Sequence, residues 1–170
     1  QPGDHAITTC LEHNSVLRPM YYHQERGVEV DFVPFDARGY VDPADIEARI
    51  KPNTKLVVMN HGSNVIGTVQ PATEIGAICR ERGVIFAIDA AQTAGLVPID
   101  MQRMNIDVVA FTGHKSLLGP MGIGGLCVAE GAEIPHSRAG GTGVDSVNRR
   151  HLDIYPYRLE YGTPNMVGVA

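Results

Sequence analysis

Residues 55–92 read KLVVMNHGSNVIGTVQPATEIGAICRERGVIFAIDAAQ, and their order decides the fold. Lys55 to Met59 is a short apolar run of strand type. Pro71 to Arg82 is a helical stretch with Ile75, Ile78 and Cys79 on one face, and Gly83 closes it. Val84 to Ile88 is a second apolar run. A strand, a helix and a strand of these lengths make a βαβ unit, whose crossover is right-handed. Both runs are continuously apolar rather than alternating, the pattern of strands covered on two faces.

The same alternation extends in both directions. Upstream, Ala6 to Cys10 reads as a strand, Ser15 to Arg26 as a helix ending at Gly27, and Val28 to Val33 as a strand. Asp42-Pro43, a cap followed by a first-turn proline, opens a helix through Ile50. Downstream, Val108 to Phe111 and Gly124 to Val128 read as strands, the second approached through Gly119-Pro120. From Arg138 to Pro156 the pattern weakens into Gly-rich and charged sequence of loop type. The expected fold is α/β: a doubly wound, mostly parallel sheet with helices on both faces.

Bulk properties agree with one domain over residues 1–170. The 170 residues are 44% apolar, enough for an ordinary core. The net charge of −5 argues against nucleic-acid binding, which favours a basic face. No apolar run reaches membrane-span length, and the N-terminal residues lack the regions of a secretory signal. The three cysteines, Cys10, Cys79 and Cys127, are far apart and odd in number, excluding a disulfide framework or a zinc knuckle. Together these features lead us to expect a reduced, cytoplasmic setting. The abrupt ends, Pro2-Gly3-Asp4 and Met166 to Ala170, suggest a fragment of a larger domain.

In an open parallel sheet, ligands bind beyond the carboxyl ends of the strands. Glu12, His13 and Asn14 follow the first strand. Asn60, His61, Ser63 and Asn64 follow Lys55–Met59. Asp89 and Gln92 follow Val84–Ile88. Thr112, His114 and Lys115 follow Val108–Phe111. Four strand ends thus bring polar and ionisable groups to one edge. A lysine there suits a Schiff-base nucleophile if burial or a nearby cation lowers its pKa. An aspartate at a neighbouring strand end suits a pyridinium nitrogen. Histidine suits ring stacking or proton transfer, and threonine with backbone N–H groups near glycine suits a phosphate.

Each of these residues also has a plainer reading. Lys115 alone reads as a solvated lysine. Asp89 reads as a helix N-cap, His13 and His114 as capping or interface residues, and Asn64 as part of a turn with Gly67. Thr142 reads as one residue of an ordinary glycine-rich loop. His5, His23, His61, His136 and His151 show no metal-ligand spacing and are expected at the surface or in local structure. Gly113-His114-Lys115-Ser116 lacks the order of a nucleotide P-loop, and the glycines at 122–125 do not open a helix as a dinucleotide fingerprint does.

Ile88-Asp89-Ala90-Ala91-Gln92 followed by Phe111-Thr112-Gly113-His114-Lys115 resembles the signature of class V aminotransferases, and among them of cysteine desulfurases and selenocysteine lyases. The resemblance continues through Glu12-His13-Asn14-Ser15, Ser63-Asn64-Val65-Ile66-Gly67-Thr68, Gly140-Gly141-Thr142-Gly143 and Glu160-Tyr161-Gly162-Thr163-Pro164-Asn165. It implies the cofactor pyridoxal 5'-phosphate (PLP), held by Lys115 as a Schiff base. It implies Asp89 at the pyridine nitrogen, Gln92 at the phenolic oxygen, and His13 stacked on the ring with a part in catalysis. It implies Thr112 and His114 at the phosphate, Asn64 near the phenolic oxygen and substrate carboxylate, and Thr142 at the phosphate of a neighbouring subunit in a homodimer.

The implied reaction removes sulfur from a small amino acid, cysteine, leaving alanine. The family's N-terminal segment, and its small C-terminal domain with a carboxylate-binding arginine and a nucleophilic cysteine, have no counterpart in this sequence. The chain is therefore expected to be incomplete for catalysis. Cys10 and Cys127 in expected strands and Cys79 on a helix face do not suit a persulfide carrier. The alternatives are a truncated oligomerising or binding module, or another class V aminotransferase or lyase activity. Loss of covering segments leads us to expect self-association.

Overall fold

The structure, a computed structural model, describes residues 1–136, 138–145 and 147–170. Its centre is a six-stranded sheet: β1 (His5–Thr9), β2 (Glu29–Val33), β3 (Thr54–Asn60), β4 (Ile85–Asp89), β5 (Val108–Thr112) and β6 (Gly124–Val128). The spatial order is β2-β1-β3-β4-β5-β6. All pairings are parallel except that of β5 with β6. The expected mostly parallel α/β sheet is thus present, with an antiparallel last strand.

The chain leaves β1 toward β2 on one side and later builds β3, β4 and β5 on the other. The winding reverses between β1 and β3. Right-handed crossovers assign α1 (Asn14–Gln24) and α3 (Ala72–Arg82) to opposite faces; α3 buries Ile75 and Cys79, whereas α1 buries no residue fully and stacks Tyr21 on Phe32 of β2. The sheet is doubly wound for that reason.

Local chemistry sets the helix ends. Asp42 caps α2 (Pro43–Glu47) by accepting from the Ala44 N–H at 2.9 Å, and Pro43 takes the first turn. This helix stops at Glu47, earlier than the expected Ile50. Gly83 ends α3 in the left-handed conformation, φ 66°. Gly76 in the same helix lies against the Met104 carbonyl, where a Cβ would collide.

Ile7, Val57, Met59, Phe86 and Ile88 of the central strands pack with Ile46 of α2 and with Ile75 and Cys79 of α3. Every residue of β1 is buried. Burial fails at the far edge: β6 is half-exposed, and Leu126 is open to solvent.

Two expectations about buried groups need correction. His5 and His61 are not surface residues but among the most buried. Each has a partner that compensates for burial: His5 Nδ1 meets Thr54 Oγ1 at 2.7 Å and His61 Nδ1 meets Thr93 Oγ1 at 2.9 Å. Cys10 lies just beyond β1 rather than in it, and both Cys10 and Cys127 are exposed, while Cys79 is buried in α3. The loop expected from Arg138 to Pro156 contains no helix or strand among its described residues; Ser146 lies outside them.

Candidate functional site

Register brings the strand ends level. Asn60 of β3 pairs with Asp89 of β4, and Asp89 pairs with Ala110 of β5, two residues before Thr112. The ends of β1, β3, β4 and β5 therefore open onto one edge at the point where the winding reverses, the place where such sheets bind ligands. A cavity of about 440 Å³ lies there. It is lined by His13, Asn60, Asn64, Asp89, Gln92, Thr112, His114 and Lys115, with Ser15, Gly62 and Ala91. That volume is in the roughly 300–1,000 Å³ range of small-molecule sites.

Seven of the eight expected site residues meet in this cavity. Thr142 does not. It lies in a separate glycine-rich loop, where its Oγ1 donates to the Val144 carbonyl at 3.1 Å. A larger cavity of about 830 Å³ lies against β5 and β6. Its lining of Phe111, Leu126, Tyr155 and Leu159 is apolar and brings few ionisable groups together, so the chemistry belongs to the smaller one.

The capping and binding readings prove compatible for several residues. His13 caps α1: the Ser15 N–H donates to its Nδ1 at 3.2 Å, and the Ser15 hydroxyl lies 2.9 Å from the same nitrogen. The cap orients the imidazole at the cavity rim. Asp89 uses Oδ1 to accept from the Ala91 N–H at 2.9 Å, turning the chain after β4. Its Oδ2 makes no hydrogen bond among the described residues. The turn after Ser63 is built by Ser63, whose Oγ accepts from Val65 and Ile66 N–H at 3.2 and 3.3 Å. Asn64 is therefore not needed for the turn.

Lys115 sits on a short loop tied back on itself. Gly119 N–H donates to the Gly113 carbonyl at 2.8 Å, Leu118 N–H to that of Lys115 at 2.9 Å, and Gly113 N–H to that of Ile123 at 2.8 Å. The lysine is exposed rather than buried. Thr112 Oγ1 and His114 Nδ1 are 2.8 Å apart, forming a paired hydroxyl and imidazole beside it.

Behind the rim lies a buried polar clasp for which the sequence suggested no role. Glu12, 7% exposed, accepts at Oε1 from Thr9 Oγ1 at 2.6 Å and from the Asn60 backbone N–H at 2.9 Å. Asn60 returns the contact, donating from Nδ2 to the Leu11 carbonyl at 2.8 Å. Burial, and secondarily the nearby Asp89 carboxylate, pushes the Glu12 carboxyl up to about 7, against the pull of its two hydrogen bonds. Burial likewise pushes the His61 imidazole down, toward its neutral form. The signal available in sequence for Asn60 was its place at a strand end.

The donor set fits a flat, anionic aromatic cofactor such as PLP. It offers a primary amine, a carboxylate with one oxygen uncommitted among the described residues, a flat imidazole and a hydroxyl–imidazole pair in one cavity. Lys115 and Asp89 line the same cavity.

The family model described as "Aminotransferase class-V" matches residues 1–170. A probable cysteine desulfurase of Methanothermobacter thermautotrophicus is 39% identical over 170 residues, covering 98% of this chain and 42% of that protein. The cysteine desulfurase IscS of Glaesserella parasuis is 44% identical over 126 residues, 74% of this chain and 31% of that protein. Among solved structures, an apo cysteine desulfurase from Thermococcus onnurineus superposes with a TM-score of 0.81 at 34% identity, covering 99% of this chain and 43% of that one. A structure described as SspA in complex with cysteine gives 0.83 at 32%, covering 98% and 45%. The chain thus spans under half the length of these relatives.

Proposed function

Because this chain belongs to the class V aminotransferase family, we propose that it is the cofactor-binding core of a PLP-dependent enzyme of the cysteine desulfurase type. The observation that carries this reading is the meeting of Lys115, Asp89, Gln92, Thr112, His114, Asn64 and His13 in one cavity at the switch point. When bound, the cofactor supplies an electron sink for bonds at the substrate's α-carbon.

The chain's own residues have separable tasks. Lys115 Nζ is the amine that attaches the cofactor and afterwards takes and returns a proton. Asp89 stands at the ring nitrogen and keeps it protonated. His13, held by its Ser15 contacts, stacks on the ring. Gln92 and Asn64 donate to the phenolic oxygen side, and Thr112 with His114 receives the phosphate. Thr142, remote from this cavity, acts on the site of a second copy in a homodimer. The substrate is cysteine and the setting cytoplasmic. Among the described residues, no helix is long and apolar enough to cross a membrane.

We read residues 1–170 as part of the large domain, with sulfur acceptance and substrate-carboxylate binding supplied outside it. The test is to add PLP to the purified chain, record the visible spectrum, and reduce with borohydride. The expected result is a stable adduct on the peptide containing Lys115, absent in Lys115→Ala. An unchanged spectrum in both proteins would overturn the reading.

A further inference from the structure

The clasp between β1 and β3 leaves two buried acceptors unpaired among the described residues: Glu12 Oε2 and Asn60 Oδ1. The Asn60 amide cannot turn over to relieve this, because its Nδ2 is committed to the Leu11 carbonyl. Glu12 Oε1 already takes two donors, one from each strand. A charged carboxylate here would keep a bare, dehydrated oxygen, an arrangement that buried ionised groups avoid. A hydrogen on Oε2 removes that charge and turns one of the two orphan acceptors into a donor.

The clasp also matters by position. Glu12 precedes His13, the cap of α1, and Asn60 lines the cavity in register with Asp89. The contacts of Asn60 with Glu12 and with the Leu11 carbonyl span 48 and 49 residues of chain. They are side-chain links between the strand end that carries His13 and the strand end beside Asp89. We propose that Glu12 is a positioning residue of the site, a protonated carboxyl that locks the end of β1 to the end of β3 and so sets His13 relative to Asp89.

The charged group facing Glu12 from the packed strands is Asp89 of β4; β1 presents the neutral Thr9 and β3 the neutral Asn60. A neutral Glu12 therefore leaves Asp89 as the sole carboxylate of this pair. Deprotonation would place a second negative charge behind it. The significance of the clasp for cofactor binding rests on the function proposed above, whereas its protonation does not.

The experiment separates the two. The chain is labelled with ¹³C at glutamate Cδ and titrated by NMR without PLP, with Glu12→Gln assigning the resonance. The expected result is a Glu12 signal that titrates near neutrality while exposed glutamates titrate in the ordinary range. A Glu12 signal titrating with the exposed ones overturns the proposal, whatever PLP does. PLP affinity is then measured for wild type, Glu12→Gln and Glu12→Ala. Glutamine copies the neutral acid and is expected to preserve affinity. Alanine deletes both contacts of Oε1 and is expected to weaken affinity about tenfold. Equal losses in the two variants overturn the proposal. Failure of the wild type to bind PLP would overturn the cofactor assignment and with it the positioning role, even if Glu12 titrates as expected.

Discussion

Asn60 and Asp89 end adjacent parallel strands in direct register, and both reach the same cavity. Asp89 is thereby flanked by a neutral amide on one side and by the turn it caps on the other. Its Oδ1 accepts from Ala91, which leaves Oδ2 for the ring nitrogen in the role proposed above.

Replacing Asp89 by Asn keeps an acceptor for the Ala91 N–H but removes the charge. A charge-assisted hydrogen bond is worth about 1.5–3 kcal/mol, so PLP affinity should fall about 10- to 100-fold with little loss of stability. Fluorescence titration with PLP and urea unfolding measure the two effects.

His13 combines two roles that substitution can part. His13→Asn retains a good N-cap for α1, whereas His13→Ala loses one at a cost of about 1 kcal/mol. Both should lose the ring contact with the cofactor. Urea midpoints should therefore separate the variants while PLP affinities should not.

Glu12 makes stability depend on pH. The folded carboxyl keeps its proton up to about 7, while the unfolded one releases it near 4.5. Between these values the folded state binds more protons, so stability falls as pH rises. The contribution is fully present below about 4.5 and lost by about 7, and amounts to on the order of 3 kcal/mol over that window. Urea unfolding from pH 4.5 to 7.5 should show this slope in the wild type and a flatter one in Glu12→Gln.

At Gly76, α3 lies directly against the backbone of the segment before β5. Gly76→Ala drives a methyl into the Met104 carbonyl and should cost about 1–3 kcal/mol despite alanine's better helix propensity. A lower thermal midpoint with an unchanged site is the expected outcome.

The outer side of β6 exposes Leu126 beside the apolar cavity that Phe111, Tyr155 and Leu159 line. An uncovered apolar edge of this kind promotes self-association. Light scattering should show a mass above that of one chain, lowered by Leu126→Lys. A monomer at high concentration would contradict this.

The chain sequence by itself determined the βαβ order, because apolar runs, Gly83 and the Asp42-Pro43 cap are local signals that need no distant partner. It also determined which residues stand just beyond each strand, and so seven of the residues that line the cavity, while the eighth expected residue, Thr142, lies elsewhere. It did not determine the burial of His5 and His61, since both depend on hydroxyls 49 and 32 residues away. Only the tertiary structure decided the clasp of Glu12 with Asn60. That contact exists because β1 and β3, separated in sequence by α1, β2 and α2, become neighbours in the sheet. A strand's own sequence specifies its apolar faces, but register across a parallel pair is set by the packed core. The environment of a group at a strand end is therefore a property of the assembled sheet.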